Sequence, residues 1–220
     1  MPNFFGFIPS ETLLSDIKHA QASRNSAEPL YPLRDKIALK MVDEILENVI
    51  ANLLHKFPPS DKKDTAEKLM GYVKATVGTL LKTLLSKADN AQVQKSIDFL
   101  EQSLFKDPQG NERVGTALPA DLIAGIQSNF QSLLNDGDHR AIRLVLKEQY
   151  KQFADLMILH FLINFNKTLD LGMIKRKASD IAAAGVTKAV HIAIDKLFPA
   201  LSKDELKVVA EYHGDFFYGN

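Results

Sequence analysis

The sequence predicts an all-α protein, a helical bundle of about six or seven helices. Three observations predict it. Apolar residues recur at helical spacing along most of the chain, no stretch alternates apolar and polar residues as a half-buried strand does, and prolines and capping residues fall between the periodic segments.

Residues 1–32 read as an N-terminal arm with a short helix, tied by the polar stretch Gln21 to Pro32 to a single helical-bundle domain over residues 33–220. From Arg34 to Phe57, residues such as Met41, Ile45, Val49, Leu53 and Phe57 form one continuous stripe, and Pro58-Pro59 ends it. Ser60 or Asp61 can cap the next helix, whose stripe runs from Leu69 to Leu85. Gly71 and Gly78 lower helix propensity inside it and suggest close approach of a neighbour. A third helix, near residues 91–105, presents Val93, Ile97, Leu100 and Leu104 with the spacing of a seam against one partner.

The stretch KDPQGNERVGTALP then interrupts the periodicity as a long connection, with turn chemistry at Asp107-Pro108-Gln109-Gly110. Helical spacing resumes near residues 120–135 and stops at NDGDH. Asp138 can cap one long, largely buried helix near residues 138–170. Its second half, FADLMILHFLINFNKTLD, is apolar on every face, but Asp155, His160 and Asn164 interrupt it. A membrane span needs about 20 mostly apolar residues, so the segment reads as a buried centre and no membrane span is expected. A further helix runs from Met173 to Phe198 and stops at Pro199. Ser202 and Glu205 have capping-box spacing at the start of the last one.

Lys plus Arg and Asp plus Glu both number 27, so no global field draws the chain to nucleic acid or an anionic surface. The absence of cysteine excludes disulfides, thiolate metal sites and cysteine nucleophiles. The N-terminus lacks a basic stretch before its short apolar run, which Pro9 cuts, so the chain reads as cytoplasmic. No nucleophile elbow, zinc-protease, phosphate-loop or dinucleotide signature occurs, nor a Glu-x-x-His pair. No cofactor and no metal site is therefore expected, and no catalytic residue is assigned.

His160, with Asn164 and Lys167 one and two turns further on, is the candidate ligand-binding set, because these side chains can recognise a polar head group beside an apolar wall. The plainer alternative is a core histidine with an internal hydrogen-bond partner. His191, Asp195 and Lys188 share one helix side but read as a solvated face, as do Asp43, Glu44 and Glu47, with Lys40 placed to pair with Glu44. The basic run Lys175-Arg176-Lys177 is too short to imply nucleic-acid binding. The residues after it, SDIAAAGVTKAVHIAID, are superficially similar to the helix-turn-helix of TetR-type repressors. With Gly185 in the turn, however, Asp180 and His191 fall where that family places apolar residues, and the resemblance is set aside.

Both chain ends are aromatic: Phe4 and Phe5 near one, Phe216, Phe217 and Tyr218 near the other. Such clusters dock on the domain or contact a partner. The residues therefore lead to a non-catalytic interaction protein, self-associating as a homodimer or bound to another protein. The alternative is a module for an apolar small molecule, acyl or isoprenoid in kind, and DNA binding or a motif-less enzyme stand behind both.

Overall fold

The computed structural model describes residues 2–219. The protein is mostly all-α, with 73% of it helical and a small four-stranded sheet at one side. In chain order the elements are β1 (Phe4–Phe7), α1 (Glu11–Ala22), α2 (Tyr31–Leu46), α3 (Asn52–His55), α4 (Asp61–Leu84), α5 (Asn90–Gln102), β2 (Leu104–Lys106) and β3 (Glu112–Ala117). Then come α6 (Ala120–Leu134), α7 (His139–Ile158), α8 (Phe165–Thr168), α9 (Met173–Leu197), α10 (Lys203–Gly214) and β4 (Phe217–Tyr218). A π-helical stretch, Glu47–Ala51, joins α2 to α3, and another, Leu159–Asn164, joins α7 to α8. The long helix expected near residues 138–170 is thus continuous, with one widened turn inside it.

Helix starts follow the sequence chemistry. Ser60 accepts from the Lys63 N–H at 3.3 Å, Asp138 from Arg140 at 2.9 Å, and Ser202 and Glu205 close a full capping box. Each such cap contributes about 1 kcal/mol. Two local expectations are corrected. A methyl group placed on Gly71 or Gly78 would meet nothing within 4 Å, so no neighbour approaches there. α5 packs against α1, α2 and α8 rather than along a seam with one partner.

The sheet was not legible as strands. β1 pairs antiparallel with both β3 and β4, and β2 with β3, giving the order β2-β3-β1-β4. The connection around Asp107 is the β2–β3 hairpin. Gly110 sits at φ 85° in its turn, and its N–H reaches the Asp107 carbonyl at 2.9 Å. The Asp107 carboxylate is buried and accepts from the Gln109 and Asn111 amides and from both Nε and Nη2 of Arg113. Burial opposes its ionisation, but the Arg113 and Asn111 donors outweigh that and hold the carboxyl at about 2, below its ordinary 3.8.

This sheet takes up the aromatic chain ends. Phe4 is fully buried, stacked between Phe105 and Tyr218 at 4.6 Å from each. Phe5, on the opposite face, meets Phe153, Phe216 and Phe217. The N-terminal arm therefore shares the bundle's core: Phe5, Phe7, Leu13 and Ile17 are all fully buried.

Candidate functional site

α2 with its π extension, α4, α7 and α9 surround an apolar cavity of about 220 Å³. The stripe read from Arg34 to Phe57 supplies one wall through Ile45, Val49 and Leu53. Ala66, Val73 and Val77 of α4 supply a second, Phe153, Ala154 and Met157 of α7 a third, and Val186, Val190 and Ala193 of α9 a fourth. Both π stretches contribute, through Val49 and Ile50 of one and Phe161 and Leu162 of the other. A π turn holds an extra residue and frees backbone carbonyls, which is why such turns recur at functional sites.

Among the described residues two polar side chains reach this cavity, Tyr150 and His213. The His213 Nε2 donates to the Val49 carbonyl at 3.0 Å, a carbonyl of the first π stretch. That bond assigns the proton to Nε2, so Nδ1 accepts from the Tyr150 hydroxyl at 2.6 Å. The Tyr150 oxygen keeps a free lone pair. Burial lowers the His213 pKa from 6.5 to about 4 and pushes the Tyr150 phenol well above its ordinary 10. Among the described residues none brings a charge into the cavity at neutral pH.

Next to the cavity, an outer cleft of about 310 Å³ lies between the start of α4 and the end of α9. Ala66, Leu69, Ala193 and Leu197 border both spaces, and Asp61, Lys62, Thr65 and Lys196 line only the cleft. Lys62 donates to the Ala200 carbonyl and lies 3.7 Å from the Glu205 carboxylate, whereas Lys196 is exposed.

His160, Asn164 and Lys167 do not border the cavity. His160 turns away from it, packs tilted against Phe99 with ring centroids 4.7 Å apart, and donates from Nε2 to the Ser103 hydroxyl at 2.8 Å. Burial lowers its pKa to about 4. Asn164 accepts from exposed Lys167 at 3.0 Å, so the three side chains do not converge. Ser103 and His160 have the separation of a nucleophile and its base. However, Ser103 is fully buried and its hydroxyl donates to the Phe99 carbonyl at 2.9 Å, which leaves the oxygen neither reachable nor activated.

The other singled-out groups also disperse. Asp195 pairs with Lys151 at 2.6 Å and His191 with Asp155 at 2.8 Å, both on α7, rather than with each other. Glu44 holds the Ser10 amide at 2.8 Å, Asp43 pairs with Lys74 at 3.1 Å, and Lys40 bonds Thr12 instead of Glu44. Gly185 lies inside the unbroken helix α9, so the turn of a helix-turn-helix is absent there. Of the terminal aromatics, Phe4, Phe5 and Phe217 are buried in the protein's own sheet, and Phe216 and Tyr218 are half-buried beside them. Among the described residues no helix is long and apolar enough to cross a membrane.

Sequence reasoning passed over Tyr150 and His213. They are 63 residues apart, and no local spacing links them. Compared with protein-family models, curated proteins and solved structures, the chain matches none.

Proposed function

We propose that the protein is a carrier or binding module for one apolar small molecule of acyl or isoprenoid kind. Its chain fills the cavity between α2, α4, α7 and α9, and its polar end emerges in the cleft beside Lys62 and Lys196. The observation that carries this reading is an apolar cavity of about 220 Å³ that shares four of its lining residues with a neighbouring cleft bearing Lys62 and Lys196. Engineered apolar cavities of about 150 Å³ stay dry and take up small hydrocarbons. The Tyr150 oxygen offers one acceptor for a hydroxyl inside, and nothing in the cavity neutralises a carboxylate. A charged group therefore belongs outside, in the cleft. The terminal aromatics are spent inside the fold, which favours this reading over protein partnership through them.

Titrating straight-chain alcohols and acids tests it. Each methylene moved from water into the cavity contributes about 0.8 kcal/mol, roughly a fourfold gain in affinity, until the space is full. Affinity should climb with chain length and then level off. Ala154→Phe, which places a ring in the cavity, is expected to weaken binding about tenfold or more without lowering the melting temperature. Affinity independent of chain length, or unchanged in Ala154→Phe, refutes the reading. Native mass spectrometry of the purified protein adds the mass of any retained molecule.

A further inference from the structure

Helix α9 has two apolar faces. One borders the cavity through Val186, Val190 and Ala193. The opposite face carries Ile174 at 87% exposed, Ile181 at 66% and Ile192 at 39%, residues separated by multiples of the helical repeat and so in one line. Met173, also 87% exposed, stands at the first turn about 100° round the helix from Ile174. These are large apolar side chains standing in water on a helix that is otherwise firmly held. Asn166 bonds Ser179 at 2.7 Å near one end, and the Asp195–Lys151 and His191–Asp155 pairs hold the other against α7. The helix therefore cannot turn to hide them.

The charge on this helix is mostly positive. α9 carries five bases, Lys175, Arg176, Lys177, Lys188 and Lys196, against Asp180 and Asp195, in a chain whose net charge is zero. Asp195 is already paired with Lys151. Among the described residues none of the five bases is ion-paired to a carboxylate. The antiparallel packing of α4 on α9, with residues 61–69 beside 193–197, brings exposed Lys82 towards the same basic end.

We infer that the outer face of α9 docks flat on an anionic lipid bilayer, with Met173, Ile174 and Ile181 among the acyl chains and Lys175 and Lys177 on the head groups. An exposed apolar line beside lysines, on a helix too polar to cross a membrane, matches the outer face of an interfacial helix. Each juxtamembrane base adds attraction to an anionic leaflet. A neutral or purely apolar partner would leave the excess of positive charge unused. Docking this way sets one wall of the cavity directly against the lipid.

Vesicle flotation with the full chain tests the assignment. The wild type should float with phosphatidylcholine–phosphatidylserine vesicles, remain in solution with phosphatidylcholine alone, and be released by added salt. Ile174→Glu combined with Ile181→Glu, and separately Lys175→Glu combined with Lys177→Glu, should each lower the bound fraction about tenfold or more. Ile174, Ile181 and Lys177 are exposed and Lys175 is half-buried with no carboxylate partner, so melting temperatures should be unchanged and confirm folding. A wild type that ignores both vesicle types, equal partition onto neutral vesicles, or undiminished binding by the isoleucine variant each overturns the proposal. So does a concentration-dependent dimer that the isoleucine variant dissolves, since that would assign the face to a second copy.

Discussion

Gly115→Val should lower stability by about 3 kcal/mol or more, shifting the melting temperature by roughly 6–12 °C for a chain of this size. Gly115 lies directly opposite Gly6 where β3 pairs with β1. A side chain at Gly115 would run into the Phe5 carbonyl oxygen and the Gly6 Cα, both backbone atoms that no rotamer change can move. Room could come only by parting the strands, and that would break the register seating fully buried Phe5 and Phe7 in the core. Gly110→Asn, at the positive-φ turn with open space around it, is the matched control and should be nearly neutral. Thermal unfolding of the two variants against the wild type checks both, and a Gly115→Val protein as stable as the wild type would refute the close-packed pairing.

Stability should also fall as pH drops from 6.5 towards 4. In the unfolded chain His213 takes up its proton near 6.5, whereas burial in the folded protein lowers that to about 4. The unfolded state therefore binds more protons throughout this window, and lowering pH favours it. Across the window His213 alone costs about 3 kcal/mol. His160, lowered to about 4 by burial, acts in the same direction. Protonation would also convert Nδ1 of His213 from acceptor to donor and force the Tyr150 hydroxyl to reverse its bond. Urea unfolding at pH 7 and pH 4 measures the loss, and His213→Gln, which cannot titrate, should remove the His213 share. A wild-type stability that is level between those values would contradict the buried neutral imidazole.

The helices were legible because their signals are local. Pro58-Pro59, Ser60, Asp138 and the Ser202–Glu205 box each act within a turn of where they stand. β1 was not, because its partners lie more than 100 residues away and its four residues are all buried, so no alternation marks it. The cavity escaped notice for a different reason. Val73, Met157 and Val190 are what a filled core would use, and only packing decides whether space remains between them. His160 drew attention as a polar group on an apolar helix, and its neighbours Phe161 and Leu162 do reach the cavity, but its own ring faces Phe99 and Ser103. His213 gave no comparable signal, since its partners Tyr150 and Val49 meet it only in the folded chain.

The two π stretches bear on how the chain tolerates insertion and deletion. Each accommodates one residue more than an α-helical turn without breaking the helix. Deleting Ile50 or Leu162 would close the widened turn to an ordinary α-helical one, so Phe57 or Phe165 would keep its buried face. The same deletion inside α4 or α9, which have no widened turn, would rotate everything on one side by about 100° relative to the other. The two stretches are thus where the bundle can lose a residue and keep its phase.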